Sequence, residues 1–345
     1  MDINKRKQIQ RIFLFFAALL LLVKLVRDQG SDLILNQVTG TTMGTISYQV
    51  KYKASENLNY QIEIDSLLYA FNQSLSTYVS NSEISRLNRS GNFVFESPFF
   101  YPVLLASKEI HQITKGAFDP TVGPLINAYG FGPDTEPQEL NDALIDSLLQ
   151  FVGFSKIDFD SHQITMPTGA YLDLSAVAKG YAVDLVADYL KSKSITDWMV
   201  EIGGEVNAHG TNEKNEAWAI GIVDPLSKMN EQKTFAIARL NNRSLATSGN
   251  YRIFYQKEDK IYAHIIDPRT GRAGDHNILS ASVFASNCMI ADALATAFMV
   301  MGIDEAMKIL EKDDLLDAIL IYQGPQEIEY FVTDGIRETV RVTPD

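Results

Sequence analysis

Strand, turn and helix signals follow one another most clearly in the stretch Tyr171-Leu-Asp-Leu-Ser-Ala-Val-Ala-Lys-Gly-Tyr-Ala-Val-Asp184. We expect a short apolar strand, then a turn of small residues, then a helix that begins near Lys179 and Gly180. The first turn of a helix offers free backbone N–H groups, and a lysine beside it favours phosphate. Asp173, at the end of the strand, could orient a polar ligand or hold a cation. A plain strand–turn–helix connection is the alternative.

Composition and charge limit the kinds of partner. The chain has 345 residues, of which 46% are hydrophobic and 21% charged, as expected of a globular protein with a sizeable core. Its net charge of −13 argues against a nucleic-acid partner, because binding to phosphate backbones requires a basic surface. An anionic small ligand would require a metal ion or a local cluster of donors. Cys288 is the only cysteine, so no intrachain disulfide forms, and we expect a buried thiol.

An apolar segment near the amino terminus predicts a membrane anchor. Basic residues precede the run 12–23, and Lys24 interrupts it. The run is shorter than the roughly 20 residues of a spanning helix, but Lys24 can extend its amine to the interface. Neither an Ala-x-Ala cleavage pattern nor a lipid-attachment cysteine follows. We therefore predict a single-pass signal anchor over 1–30 in a bacterial inner membrane, a linker over 31–37, and one extracytoplasmic domain over 38–345.

Turns along the chain carry aromatic, polar and flexible side chains that each admit two interpretations. Met43, between two glycine-marked turns, could cover a planar ligand or fill the core. Tyr78 could stack on an aromatic ring or plug a hydrophobic gap. Asp119 precedes a proline in a loop rich in glycine, proline and aromatic residues, where its carboxylate could bind a ligand or cap the turn.

Two further patterns suggest chemistry. Asp292 and Thr296 are four residues apart in a strongly apolar helix, so they share one face of it. Buried polar groups require partners, and Mg²⁺ or Ca²⁺ with oxygen ligands would satisfy both, as would a hydrogen bond between the two side chains. His264, in a strand-like run, is a possible acid/base group, although a lone strand histidine is more often structural.

Taken together, these motifs resemble the FAD:protein FMN transferase family, the flavin transferases of the ApbE type, from about residue 38 to about residue 310. Each motif alone is weakly specific, but their order along the chain is highly specific. The motifs are Thr42-Met-Gly-Thr45, Ser76-Thr-Tyr78, Ala117-Phe-Asp-Pro-Thr-Val-Gly-Pro-Leu125, the stretch from Leu172 to Asp184, Ile202-Gly-Gly-Glu205, Ala246-Thr-Ser-Gly-Asn-Tyr251, His264-Ile-Ile-Asp-Pro-Arg-Thr-Gly271 and Ala291-Asp-Ala-Leu-Ala-Thr-Ala297.

The resemblance implies an exported, membrane-anchored enzyme that binds FAD with Mg²⁺. It implies transfer of the FMN moiety to a threonine or serine hydroxyl of redox or respiratory acceptor proteins, with release of AMP. A Mg²⁺-dependent FAD pyrophosphatase and a non-catalytic flavin-binding assembly protein are the alternatives. Strands and helices mix without regular alternation, so we predict an α+β fold of mixed sheets with packed helices. The resemblance adds an ApbE-like, T-fold-like single catalytic domain.

The resemblance also implies which side chains form the site. His264 is the leading candidate for proton transfer, and Asp292 is the second catalytic candidate. Asp292, Thr296 and the backbone carbonyl of Ala176 would bind the metal. The residues that would line the FAD site are Met43, Tyr78, Ala117, Phe118, Asp119, Asp173, Lys179, His264, Ile265 and Ile266.

Overall fold

A computed structural model describes residues 33–133, 136–227, 231, 233–249, 254–257, 260–263, 265–273 and 277–343. The predicted anchor over 1–30 and His264 lie outside the described residues. Among the helices of the described residues, none combines the length and the apolar character that crossing a membrane requires.

The described chain mixes strands and helices throughout, as predicted for an α+β fold. The helices are α1 (Gln61–Leu75), α2 (Glu83–Ser90), α3 (Phe100–Ile113), α4 (Gly123–Ala128), α5 (Asp142–Leu149), α6 (Ser175–Ser192), α7 (Cys288–Met301) and α8 (Ile303–Leu310). The strands are β1 (Ile34–Thr42), β2 (Ile46–Ala54), β3 (Asn92–Val94), β4 (Asp158–Phe159), β5 (Gln163–Thr165), β6 (Trp198–Ile202), β7 (Glu205–His209), β8 (Trp218–Val223), β9 (Thr234–Leu240), β10 (Arg243–Gly249), β11 (Phe254–Lys257), β12 (Lys260–Ala263), β13 (Ile278–Ala285), β14 (Asp317–Gln323), β15 (Ile328–Val332) and β16 (Val340–Val342).

An eight-stranded antiparallel sheet, in the order β1-β2-β6-β7-β10-β13-β14-β15, forms the centre. Both of its faces are covered, so its inner strands are apolar without strict alternation. Val200 and Val283 pack with helices α6 and α7, whereas their neighbours Met199 and Phe284 pack with the small sheet β16-β9-β8. Successive side chains of a strand point to opposite faces, which divides the core into these two layers.

Helices α6 and α7 cross at very close range. A Cβ atom at Gly180 would lie 2.2 Å from the carbonyl oxygen of Cys288 and 2.8 Å from Cβ of Asp292. Any larger residue at position 180 would therefore separate the two helices. This contact brings the apolar helix predicted near the carboxyl-terminal end against the stretch with which the sequence analysis began.

Two predicted boundaries differ from the structure. Helix α6 begins at Ser175 rather than near Lys179, because Oδ1 of Asp173 accepts a hydrogen bond from the Ser175 N–H at 2.8 Å and starts the helix earlier. Tyr171 to Leu174 form no strand, since the backbone of Leu172 bonds to the side-chain amide of Asn88 instead of to a neighbouring strand.

The amino-terminal linker is shorter than predicted. Strand β1 begins at Ile34, inside the segment 31–37, and pairs with β2 along its whole length, from Ile34 opposite Ala54 to Thr42 opposite Ile46. Polar residues alternate with Val38 and other buried positions in β1, which is a half-buried strand pattern that the sequence analysis assigned to a linker.

Candidate active site

A buried ionic cluster, which we define as Lys179, Glu205 and Asp292, lies where three elements meet. Lys179 is on the second turn of α6, Glu205 begins β7, and Asp292 follows the first turn of α7. The Lys179 Nζ atom lies 2.9 Å from Oε1 of Glu205 and 3.3 Å from Oδ1 of Asp292. The two carboxylates are buried, whereas 27% of the lysine side chain is exposed. The cluster thus combines two buried carboxylates with one lysine whose side chain is partly exposed.

Electrostatics keep this lysine charged. Burial by itself lowers the pKa of Lys179, but the carboxylates of Asp292 and Glu205 outweigh burial and raise that pKa overall. Burial raises the pKa of Asp292, and Lys179 and the Gly180 N–H, which is 2.9 Å from Oδ2, oppose that rise. With both carboxylates ionised, two negative charges share one ammonium. Two buried carboxylates this close together favour a bound cation.

Donors for such a cation are oxygen atoms. The Ala176 carbonyl belongs to the same turn of α6 as Gly180, whose N–H donates to Asp292. Thr296 lies one turn after Asp292, and its Oγ1 is 3.1 Å from Oγ of Ser248. In the part of the chain that the structure describes, no group of three or more His, Cys, Asp or Glu residues could hold a metal. A carboxylate with hydroxyl and carbonyl oxygens instead suits a hard cation such as Mg²⁺.

The β6–β7 turn lies beside Lys179, and the β1–β2 turn is connected to it. Gly203, in the turn between β6 and β7, has a φ of 62°, and a Cβ there would lie 2.7 Å from Cγ2 of Ile46 and 3.6 Å from Cδ of Lys179. Its N–H donates to the carbonyl of Ser47 at 3.0 Å. The β1–β2 turn, where Met43 adopts a φ of 47° and is half-buried against the core, is thereby joined to the rim of the ionic cluster.

Tyr78 and Asp173 form a second group with Tyr171. The Tyr78 side chain is 70% exposed, and its hydroxyl donates to the carbonyl of Phe131 at 3.3 Å. Burial of the hydroxyl and the nearby charge of Asp173 raise the pKa of Tyr78, and the same two causes raise the pKa of Tyr171. The N–H of Asp173 donates to the carbonyl of Pro120 at 2.7 Å. The structure therefore brings Tyr78 and Asp173 together beside the segment that starts at Ala117.

Asp119 belongs to that segment, and both oxygens of its carboxylate already accept hydrogen bonds from the protein. Its Oδ1 accepts from the N–H and the hydroxyl of Thr121 at 2.8 and 2.6 Å, and its Oδ2 accepts from the N–H of Phe154 at 2.9 Å. Of the two interpretations of the sequence, the geometry favours the cap. The side chains of Ala117 and Phe118 are buried in the main core, so these two residues present mainly backbone to the site.

Ile265 and Ile266 are also buried, and they lead into a tight turn. Ile266 bridges to Ala273, and the N–H of Asp267 donates to the carbonyl of Arg272 at 2.8 Å. The hydroxyl of Tyr129 donates to the carbonyl of Gly271 at 3.1 Å, which fastens the turn to the loop after Ala117. His264, directly before Ile265, lies outside the described residues, so its position relative to the cluster remains a prediction.

Glu205 and Asp184 were not predicted as site residues. Glu205 follows a Gly-Gly turn in a quoted motif, and that position was its only sequence signal. Asp184 lies one turn after Gly180 on α6, and its two oxygens accept the N–H groups of Cys288 and Met289, both at 2.8 Å. It therefore holds the first turn of α7, the helix that carries Asp292.

Known proteins match this chain over most of its length. The FAD:protein FMN transferase of Haemophilus influenzae is 37% identical over 299 residues, which cover 82% of this chain and 86% of that protein. The protein of the same name from Vibrio cholerae is 36% identical over 286 residues, covering 81% and 85%. The structure of the flavin transferase ApbE from Vibrio cholerae superposes with a TM-score of 0.79 at 33% identity, over 89% of this chain and 99% of that one. The sequence model of the ApbE family matches residues 42–320, which include the ionic cluster, Tyr78 and Asp173, and the chain belongs to the ApbE family.

Proposed function

We propose that the protein transfers the FMN moiety of FAD to a threonine or serine hydroxyl of target proteins and releases AMP. The observation that carries this proposal is the ionic cluster, because it lies within the family match, inside a fold shared with flavin transferases. The curated relatives bear the name of this reaction. A cluster that combines an ammonium with two buried carboxylates suits the handling of a pyrophosphate together with a cation.

The proposed reaction breaks the phosphoanhydride bond of FAD and forms a phosphoester bond to the acceptor. The acceptor hydroxyl oxygen bonds to the phosphorus of the FMN half, the bridging P–O bond to the AMP half breaks, and AMP leaves with the electron pair. The hydroxyl proton must pass to a base, for which His264 remains the predicted candidate. Lys179 can donate to a phosphate oxygen because its partly exposed ammonium has three N–H donors. Asp292 and Glu205 hold that ammonium in place.

We further propose that Asp292, Thr296 and the carbonyl of Ala176 hold Mg²⁺. The support is the oxygen donor set and the two buried carboxylates of the ionic cluster. When bound, Mg²⁺ would neutralise charge on the pyrophosphate. The chain's own contribution is to fix the donors: the Gly180 N–H and Lys179 orient the Asp292 carboxylate, and Ser248 orients the Thr296 hydroxyl.

The flavin side of the site is proposed for the residues beside Tyr78. An exposed tyrosine ring next to Asp173 suits a planar ligand with polar edges. Met43, the backbone of Ala117 to Asp119, and Ile265 with Ile266 complete this side as the family resemblance implies. For Asp119 the proposal is restricted to a supporting role, since both of its oxygens already bond to the protein.

Location and acceptors belong to the same proposal. The basic residues followed by the apolar run 12–23 support a signal anchor in a bacterial inner membrane, with the domain over 38–345 on the extracytoplasmic side. Redox or respiratory proteins that receive the flavin on a threonine are the acceptors that the family resemblance implies.

One experiment separates the candidate activities. Full-length enzyme is incubated with FAD, Mg²⁺ and a candidate acceptor protein, and both proteins and nucleotides are analysed by mass spectrometry. A gain of one FMN on the acceptor with release of AMP supports the transferase. AMP without a protein adduct would show a pyrophosphatase, and intact FAD would show a binding protein. The Asp292→Ala variant should form no adduct, and full activity of that variant at low Mg²⁺ would refute the metal assignment.

A further inference from the structure

A groove of about 440 Å³ lies between α3 and strand β4, and no residue of the ionic cluster or of the predicted FAD site lines it. Helix α3 contributes Lys108 and His111, and Lys115 follows just after the end of the helix. The chain around β4 contributes Phe154 and Phe159. The His111 ring closes one end, with Nδ1 3.1 Å from the carbonyl oxygen of Phe118 and 3.4 Å from Oδ2 of Asp119. The groove therefore backs onto the wall of the active site without opening into it.

The wall formed by β4 is a sheet edge. Among the described strands, the small sheet has the order β3-β5-β4, and β4 pairs with β5 on one side only. The N–H of Asp160 donates to the carbonyl of Gln163 at 3.1 Å across a two-residue turn, which makes these two residues a hydrogen-bonded pair. Pairs alternate along an antiparallel ladder, so the next pair, Phe159 with Ile164, is a non-hydrogen-bonded one. The backbone N–H and C=O of Phe159 consequently point away from β5, toward the open edge.

The opposite wall is basic. Lys108 and Lys115 are seven residues apart and both exposed, and Lys108 Nζ lies 5.7 Å from the centroid of the Phe159 ring. Within the described residues, neither lysine forms an ion pair, and Asp158 is the only carboxylate that lines the groove. Two lysines against one lining carboxylate are a local reversal of charge on a chain whose net charge is −13, with Glu305, outside the lining, as a further charge that interacts with Lys115. Such a reversal attracts a negatively charged partner.

We propose that this groove binds an extended acidic segment of a partner protein, which adds as a strand to the edge of β4. The segment would bond through its backbone to the N–H and C=O of Phe159, and its carboxylates would reach Lys108 and Lys115. Alternate apolar side chains would pack on the rings of Phe154 and Phe159, which already lie edge to face with centroids 6.1 Å apart. The edge of β4 would hold the peptide through backbone hydrogen bonds, and the two lysines would select it by the charge of its side chains.

The probe for this proposal is a fluorescein-labelled peptide, acetyl-Glu-Val-Glu-Val-Glu-Val. Its binding to the full-length protein in detergent is followed by fluorescence polarisation. We expect saturable binding that weakens by about tenfold or more in Lys108→Glu/Lys115→Glu, since two attractive contacts become repulsive. The matched control is Lys214→Glu/Lys312→Glu, which reverses two exposed lysines outside the groove and should leave the affinity unchanged. Equal affinities of the two variants, or no saturable binding, would overturn the proposal.

Backbone chemistry tests the strand addition separately. One version of the peptide is N-methylated at every valine and a second at every glutamate, so each lacks N–H donors on one edge. We expect one version to lose binding and the other to keep it, because an added strand bonds through one edge only. Binding of both versions would rule out strand addition, and circular dichroism of the double variants confirms that each is folded.

Discussion

Asp119 and Asp292 are both buried aspartates of the candidate site, with 6% and 2% of their surface exposed, but different partners hold them. Asp119 accepts three hydrogen bonds from neutral donors, two from Thr121 in its own turn and one from the N–H of Phe154, 35 residues away. Asp292 accepts one from a neutral amide, that of Gly180, and one from the ammonium of Lys179, which it shares with Glu205.

The difference indicates that the two aspartates have different roles. A carboxylate that is saturated by neutral backbone and hydroxyl donors is stabilised in its charged form and fixes a loop, as an Asx turn does. A carboxylate that shares one ammonium with a second carboxylate leaves charge uncompensated, which favours a bound cation or a proton. We therefore expect chemistry to depend on Asp292 and the shape of the loop to depend on Asp119.

Asp292→Asn should produce the largest effect on activity. The amide keeps the shape of the side chain but removes its charge, so the ionic cluster loses one carboxylate while Glu205 still pairs with Lys179. We expect the rate of FMN transfer to fall by about 100-fold or more, beyond the usual cost of removing a supporting group. Adduct formation is measured by mass spectrometry against time at saturating FAD.

Asp119→Asn is the matched comparison for that experiment. It also removes a buried charge, but one whose partners are neutral, so we expect a lower midpoint of thermal unfolding and a smaller loss of transfer rate than in Asp292→Asn. If Asp119→Asn instead slowed transfer more than Asp292→Asn did, the proposed division between the two aspartates would be wrong.

Gly180→Ala tests whether the contact between α6 and α7 positions Asp292. A Cβ at position 180 would lie 2.2 Å from backbone at Cys288, which cannot yield without moving α7. We expect a loss of about 1–3 kcal/mol in the free energy of unfolding, with a fall in transfer rate. Gly221→Ala is the control, because its Cβ would meet no atom closer than 3.8 Å. Equal unfolding free energies for the two variants in urea would contradict the close contact.

Asp119→Ala should affect stability more than chemistry. Without the carboxylate, the N–H groups of Thr121 and Phe154 lose their partner, and an unsatisfied buried donor costs about 1–3 kcal/mol. We expect a lower urea midpoint with an unchanged slope, measured by tryptophan fluorescence. A stability equal to that of the wild type would show that water or another acceptor group takes the hydrogen bonds of these N–H donors.

The sequence predicted local relations better than distant ones. The apolar helix that carries Asp292 and Thr296 was expected because its periodicity is local, and the structure places it at Cys288–Met301. The pairing of Glu205 with Lys179 could not be read from spacing, since it depends on which strand lies beside which helix. The start of α6 was misplaced because small residues before Lys179 resemble a turn, whereas the Asp173 side chain begins the helix at Ser175.

Asp119 shows a further limit of sequence reasoning. A carboxylate before proline in a Gly- and Pro-rich loop predicts a turn, but its oxygens can face a ligand or the protein. One of the deciding partners is the N–H of Phe154, 35 residues away, on a segment whose position follows from the packed fold. Local pattern therefore gave both interpretations, and tertiary structure was needed to choose between them.

Asp184 is a third buried aspartate, and we expect its substitution to have the smallest effect on transfer. Its contribution should be visible as a pH dependence of the unfolding free energy. It accepts the backbone N–H groups of Cys288 and Met289, with no cation beside it among its bonded partners in the described chain. Burial raises the pKa of Asp184 to about 7, although the hydrogen bonds from those two amides lower it in part. The folded state thus binds a proton more tightly than the unfolded state, in which an aspartate has a pKa of about 3.9.

The direction of the pH effect on stability follows from the higher pKa in the folded state. Where the folded state holds more protons, stability falls as pH rises, so the contribution of Asp184 is complete below about pH 4 and is lost as the pH passes through about 7. Asp184→Asn cannot titrate, and all other groups are shared by the two proteins. We therefore expect the unfolding free energy of the wild type minus that of Asp184→Asn, measured in urea at pH 5, 6, 7 and 8, to decrease by at most about 1.4 kcal/mol per pH unit and to level off above pH 7. A difference that stayed constant or rose with pH would mean that the two helix amides keep this carboxylate ionised.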